Sequence, residues 1–266
     1  MQEKFREEIS SAYTFEGPSL ILGGAMLNSE PVEGLQVKIP LKTINRHGLI
    51  AGATGTGKTK SLQVFAEQLS LNGVPSIVMD IKGDLSGLAK PGQSNKHIVF
   101  RNEAIKLNYE PQGFPVELMS LQNDEGAPMR ATISEFGPVL LSKMLDLNAT
   151  QSSILAVLFK FSDDHKLPLL DIQDLKSFLS YSINEGKASI KKEYGTLSSS
   201  SINTILRKVI ALEQQGADVF FGEPSFDVND LLSTDEDGRG QISVLRLTDM
   251  QGKPALFSTF MLCLLS

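Results

Sequence analysis

The residues most able to do chemistry form a glycine-rich segment, Gly52–Thr59, with the sequence GATGTGKT. It fits the pattern G-x-x-x-x-G-K-[ST], in which glycines let successive backbone N–H groups curve around an anion without a Cβ clash. A helix that follows such a segment directs its positive end at the same anion. Lys58 can reach the β- and γ-phosphate oxygens of a nucleotide, and the Thr59 hydroxyl can bind Mg²⁺. This segment, called here the 52–59 loop, is therefore predicted to bind a triphosphate through Gly52, Ala53, Thr54, Gly55, Thr56, Gly57, Lys58 and Thr59, the alternative being a purely structural glycine-rich turn.

The elements on either side of the 52–59 loop must hold it in place. His47–Ala51 is apolar enough to predict a short buried strand, and Lys58–Leu71 carries the apolar spacing of one helical face. Asn72-Gly73 is a plausible left-handed end for that helix. Val74–Met79 predicts a second strand, which completes a βαβ unit with a parallel pair. His97–Phe100 predicts a third short strand.

Two aspartates after the second predicted strand and one arginine before the first could act on a nucleotide bound at the 52–59 loop. Asp80 follows the second predicted strand, and ligands of parallel α/β sheets bind beyond the carboxyl ends of strands. Asp80, and less strongly Asp84, could therefore approach a γ-phosphate, its Mg²⁺ or the attacking water, the alternative being a turn in which Asp80 accepts local N–H groups. Arg46 precedes the first predicted strand, and its spacing alone favours an exposed flanking charge.

The rest of the chain predicts an α/β fold with a helical insertion. Residues 1–45 predict an N-terminal arm or small β element with strands at Leu20–Leu22 and Leu35–Ile39, and Gln241–Leu247 returns to a strand pattern. We predict an ATPase-type core in residues 46–114, the insertion in 115–235, and a return to the core in 236–266. Helical patterns occur at Met129–Leu145, Asn148–Phe161, Asp171–Ile183, Ser198–Gln215 and, at the end, Pro254–Ser266.

Composition and charge argue against a basic nucleic-acid-binding protein, a protein metal site and a membrane protein. The 266 residues carry 25 Lys and Arg against 31 Asp and Glu, a net charge of −6, which argues against a uniformly basic nucleic-acid-binding surface. Lys187, Lys191 and Lys192 form a small basic cluster that is better explained as a solvated face than as a DNA contact. No protein metal site is predicted from the scattered histidines. The single cysteine, Cys263, and the absence of a signal peptide or membrane span predict a cytoplasmic location without membrane contact.

A second acidic motif, which P-loop ATPases need to hold Mg²⁺ and polarise water, is not evident. Ser76–Asp80 fits loosely but lies on the strand predicted to be adjacent to the loop's own, and Val244–Asp249 is interrupted by Arg246. The chain also stops inside the last predicted helix, which predicts a truncated fragment.

Several segments together resemble the bacterial HerA-like helicase-domain family, in the HerA/FtsK branch of P-loop ATPases. The resemblance covers nearly the whole chain. The segments that carry it are NRHGLIAGATGTGKT (45–59), DIKGDLSGLA (80–89), GPVLLSKMLDLNATQ (137–151), LLDIQDLKSFL (169–179), EQQGADVFFGEPSFDVNDL (213–231) and GRGQISVLRLTDM (238–250).

The resemblance implies a RecA-like P-loop NTPase core with a parallel sheet that binds ATP and Mg²⁺, assembles as a homohexamer when intact, and translocates DNA. It also implies that Asp80 and Arg46 take part in hydrolysis with Lys58, and that Asp80 joins Thr59 at the metal. The family's second acidic motif would lie beyond residue 266, so weak turnover is expected of this chain. Two alternatives stay open, a nucleotide-dependent regulatory or assembly module without DNA activity and a fragment that only binds nucleotide.

Overall fold

The structure is a computed structural model that describes residues 2–121 and 126–248, together with residues 257, 260, 261 and 264. It has an α/β architecture with a four-stranded parallel sheet and a separate two-stranded antiparallel sheet. By contacts the chain divides into two compact units, Met1–Glu117 with Leu231–Val244, and Leu118–Asp230 with Leu245–Ser266. The predicted four-part division of the chain stays a prediction.

The first unit carries the 52–59 loop. Its elements are α1 (Gln2–Tyr13), β1 (Ser19–Leu27), β2 (Glu30–Pro40), a 3-10 turn (Leu41–Thr43), α2 (Lys58–Leu71), β3 (Ser76–Asp80), a second 3-10 turn (Ser86–Ala89) and α3 (Lys96–Ala104). Two further strands, β4 (Val116–Ser120) and β6 (Ile242–Arg246), begin in this unit. In the order of the sheet, β3 is followed by β6, β4 and the two-residue strand β5 (Ala127–Pro128).

The second unit is mainly helical. Its helices are α4 (Ile133–Met144), α5 (Ala149–Asp164), α6 (Ile172–Ile183), α7 (Lys187–Tyr194), α8 (Ser199–Glu213) and α9 (Ala217–Phe220), followed by a 3-10 turn (Val228–Leu232). Their buried faces supply a core that includes Phe136, Leu155, Leu179, Ile205 and Val209, each at most 2 % exposed.

Helix ends in the second unit form where side chains can cap them, because the first amides of a helix need external acceptors. Asn148 caps α5 and forms a reciprocal capping box with Gln151, as the sequence predicts. Asp171 caps α6 and Ser198 caps α8. The first predicted helix of this region, Met129–Leu145, instead begins at Ile133, since Thr132 is its cap.

The N-terminal segment combines a predicted and an unpredicted element. β1 and β2 pair as an antiparallel hairpin from Ser19↔Pro40 to Leu27↔Glu30, which confirms the small β element. Helix α1, which the sequence analysis did not predict, packs Phe5 and Ile9 against the buried apolar side chains of the hairpin. The described residues hold no helix that is both long enough and apolar enough to cross a bilayer.

Two predicted strands are wrong. His97–Phe100 lies inside α3, whose start is fixed by the Asn95 side chain accepting from the amides of His97 and Ile98. His47–Ala51 is not a strand either, and its Leu49 is 90 % exposed. A short apolar run becomes a strand only if a neighbouring strand supplies the ladder, and none pairs with this run in the described part of the chain. Of the predicted βαβ unit, α2 and β3 are confirmed.

Pro254–Ser266 lies largely outside the described residues, as does Cys263. The predicted strand at Gln241–Leu247 is confirmed as β6.

Candidate functional site

The 52–59 loop is a tight exposed turn whose shape requires its glycines. Gly55 and Gly57 have φ of +82° and +98°, a region that other residues avoid. A Cβ on Gly52 would lie 2.5 Å from the Thr56 hydroxyl oxygen, closer than any ordinary contact. Thr56 in turn donates from its hydroxyl to the carbonyl oxygen of Ala53 at 2.8 Å. The loop is thus closed on itself by this bond, and its residues from Gly52 to Gly57 are exposed to solvent.

The start of α2 is open to an anion. Its cap is Gly57, which has no side chain, and the first helical amide that donates within the chain is that of Ser61, to the Gly57 carbonyl oxygen at 2.9 Å. Within the described residues, the backbone amides of Lys58, Thr59 and Lys60 donate no hydrogen bond. Unsatisfied amides at a helix start, together with the helix dipole, form a site for a phosphate.

Lys58, the first residue of α2, turns its side chain back to the loop. Its ammonium nitrogen donates to the carbonyl oxygen of Ala53 at 2.7 Å, so the side chain folds back across the loop instead of extending into solvent. A phosphate oxygen is a better partner for the ammonium than a neutral carbonyl, because both groups are then charged. A bound triphosphate can therefore recruit Lys58 by exchange of one acceptor for another. Thr59 is half-buried at the second position of α2.

Asp80, at the carboxyl end of β3, is 1 % exposed and turns its carboxylate to the backbone that follows it. One oxygen, Oδ1, accepts from the amides of Lys82, Gly83 and Asp84 at 3.2, 2.7 and 3.2 Å. The other, Oδ2, accepts from the amide of Leu85 at 2.9 Å. These bonds are those of the turn alternative. A role of Asp80 in metal binding or hydrolysis stays a prediction.

The other predicted residues have simpler surroundings. Arg46 lies in the exposed segment before the 52–59 loop, and its part in hydrolysis stays a prediction. Gln63 was not singled out by sequence reasoning, yet its side-chain amide donates to the Asp84 carbonyl oxygen at 2.9 Å. No local pattern marks that contact, because the two residues belong to different elements. Among the described residues, no three His, Cys, Asp or Glu side chains cluster as a metal site.

A comparison with protein-family profiles matches residues 26–266 to the family described as Helicase HerA-like C-terminal. The chain belongs to this family. Its members are P-loop motor ATPases, so the resemblance predicted from the sequence is confirmed. No curated protein matches the chain.

Among solved structures, the HerA-like chain is similar in fold to "Bacterial conjugative coupling protein TrwBdeltaN70", described in a trigonal form in complex with sulphate. The TM-score is 0.51 at 15 % sequence identity, and the match covers 96 % of this chain and 56 % of the other. The HerA-like chain thus spans little more than half the length of that protein. At this identity the likeness concerns the fold, and it confirms the predicted RecA-like α/β core.

Proposed function

We propose that this HerA-like chain binds ATP with Mg²⁺ at the 52–59 loop, as the nucleotide-binding core of a motor ATPase. The observation that carries the proposal is the uncapped start of α2, together with the Lys58 ammonium bonded to the Ala53 carbonyl oxygen of the same loop. In this proposal, backbone amides from Gly55 to Thr59 surround the phosphates, and Lys58 neutralises the charge that develops on them. The Thr59 hydroxyl would hold Mg²⁺, which neutralises phosphate charge when bound.

Nucleotide binding by the chain tests this proposal directly. Lys58→Ala removes the only cation that contacts the loop carbonyls in the described structure, and we expect at least a tenfold loss of affinity for a fluorescent ATP analogue with Mg²⁺. Lys42→Ala is a matched control, since Lys42 is an exposed lysine of the 3-10 turn ahead of the loop. Equal affinity of the wild-type and Lys58→Ala proteins would refute the assignment.

We further propose that the intact motor is a cytoplasmic homohexamer that couples ATP hydrolysis to movement along DNA. Family membership supports this reading. The rate of ATP hydrolysis should be measured with and without duplex or single-stranded DNA, at low and at high salt. Stimulation that falls steeply with salt would support DNA as the partner, because phosphate contacts release counterions.

The net charge of −6 favours a second candidate, a nucleotide-dependent regulatory or assembly module without DNA activity. This candidate predicts that ATP changes the oligomeric state, measured by light scattering, while DNA leaves ATP turnover unchanged. If the chain binds nucleotide but its turnover stays at background, it acts as a binding unit only.

A further inference from the structure

The segment that follows β3 is held in shape by a single buried carboxylate. Residues 81–85, called here the 81–85 loop, curl around Asp80 so that four successive amides, from Lys82 to Leu85, donate to its two oxygens at 2.7–3.2 Å. Gly83 permits this curl with a φ of +78°. Apart from Leu85 the loop residues are exposed, so they pack little apolar surface of their own. The order of the loop therefore depends on Asp80.

The same loop is tied to the helix that follows the 52–59 loop. Gln63 donates from its side-chain amide to the Asp84 carbonyl oxygen at 2.9 Å, and Lys60 donates to the Gln63 side-chain oxygen at 2.8 Å. Gln63 comes five residues after Lys58, about 7.5 Å along the helix axis at 1.5 Å per residue. A movement of the first turns of α2 would therefore displace the 81–85 loop through the Gln63 side chain.

The hydrogen bonds of Asp80 use all the accepting capacity of Oδ1 and half that of Oδ2, which restricts how this carboxylate could bind a metal. A carboxylate offers about four lone-pair sites, two on each oxygen. Three amides already share Oδ1, and one occupies Oδ2. A metal that bound through Oδ1 would have to displace amides of a buried turn, which then lose their acceptor.

We propose that Asp80 and Gln63 are positioning residues that hold the 81–85 loop against α2, and so couple nucleotide binding at the 52–59 loop to the order of the 81–85 loop. The coupling to nucleotide binding rests on the proposed function, whereas the positioning of the 81–85 loop does not. The loop leaves the carboxyl end of β3, which is the edge where parallel sheets bind ligands. A fixed loop at that edge restricts the positions that bound phosphates and an attacking water can take. The relative position of reacting groups strongly affects the reaction rate.

Amide hydrogen exchange of the full chain, with and without a non-hydrolysable ATP analogue and Mg²⁺, tests the coupling. In the wild-type protein we expect the analogue to slow exchange at residues 82–85 by about threefold or more. Gln63→Leu should abolish most of that slowing while changing the affinity for the analogue less than twofold. Gln68→Leu is the matched control, since Gln68 lies on the same helix but accepts from the amide of Ile21 in β1 at 3.1 Å. It should leave the slowing intact.

Asp80→Asn separates positioning from metal binding. We expect exchange at residues 82–85 to accelerate about tenfold even without nucleotide, while the Mg²⁺ concentration needed for half-maximal analogue binding changes less than twofold. Unchanged exchange with a tenfold higher Mg²⁺ requirement would overturn the proposal in favour of a direct ligand. Equal slowing in the wild-type and Gln63→Leu proteins would overturn the coupling. If the wild-type protein binds no nucleotide, the proposed function fails, and the exchange of nucleotide-free Asp80→Asn still decides whether Asp80 orders the loop.

Discussion

Gly52 and Thr56 approach each other so closely that a Cβ on Gly52 would lie 2.5 Å from the Thr56 hydroxyl oxygen. The same Cβ would make only ordinary contacts with the Thr56 Cβ at 3.5 Å and the Lys58 Cγ at 3.6 Å. The requirement for glycine at the start of the 52–59 loop therefore comes from one oxygen atom. That oxygen is also the one that closes the loop on Ala53.

Gly52→Ala should weaken nucleotide binding because the loop must open to relieve the contact. We expect about tenfold lower affinity for a fluorescent ATP analogue, which corresponds to about 1.4 kcal/mol. Gly48→Ala is the control, since a Cβ there meets nothing within 4 Å. Thr56→Ala removes the opposing oxygen, so adding Gly52→Ala to that variant should cost less than twofold. A full tenfold loss in the Thr56→Ala background would show that the contact is not the cause.

Lys208 should stabilise the second unit through the end of another helix. From α8 its ammonium donates to the carbonyl oxygen of Leu145 at 2.9 Å and to that of Asp146, which follow α4. A cation at a helix C-terminus is favourable, and these carbonyls have no partners inside the helix. Lys208→Met keeps the aliphatic stem and should lower the free energy of unfolding by about 1–2 kcal/mol in urea titrations. Lys192→Met, at an exposed position of α7, should change it by less than about 0.5 kcal/mol. Equal losses in both variants would count against the role of these contacts.

Local signals in the sequence predicted the parts of the fold that depend on local chemistry. Asn148 with Gln151 forms the capping box that its spacing indicates, and α2 has the predicted bounds Lys58–Leu71. Helix α7 was missed because it is short and polar, with Ile190 as its one buried residue, so it has little apolar periodicity. His97–Phe100 was assigned to a strand from its apolar letters, although the Asn95 cap is itself a helix signal.

Contacts between residues far apart in the chain could not be predicted from the sequence. The run at His47–Ala51 has the composition of a buried strand, and only the absence of a pairing partner among the described residues distinguishes it. In the candidate site, the motif itself predicted the 52–59 loop, and the turn alternative for Asp80 anticipated its amide partners. The bond from Gln63 to Asp84 joins residues 21 positions apart, and no spacing rule connects a helix to the loop beyond the next strand.

The capping box at α4 should make stability depend on pH through Glu135. Burial raises the pKa of this carboxyl, but hydrogen bonds from the Thr132 amide, the Thr132 hydroxyl and the Ser225 hydroxyl outweigh it, and the net pKa lies below the ordinary value of 4.5. A carboxyl whose pKa is lower in the folded than in the unfolded state binds protons less readily when folded. Its stabilising contribution is therefore complete above about pH 4.5 and is lost as the pH falls through the folded-state pKa.

Glu135→Gln tests this dependence, because glutamine can keep the hydrogen bond to the Thr132 amide but carries no charge at any pH. We expect the variant to melt below the wild-type protein at pH 7, by a few degrees, and the gap to close as the pH is lowered from 4.5 towards 3. Ser225→Ala, which removes one of the three donors, should melt between the wild-type protein and Glu135→Gln at pH 7. Melting curves of the three proteins at pH 7, 5, 4 and 3 provide the measurement. A gap that stays constant from pH 7 to pH 3 would mean that the carboxylate charge contributes nothing to the stability of this helix start.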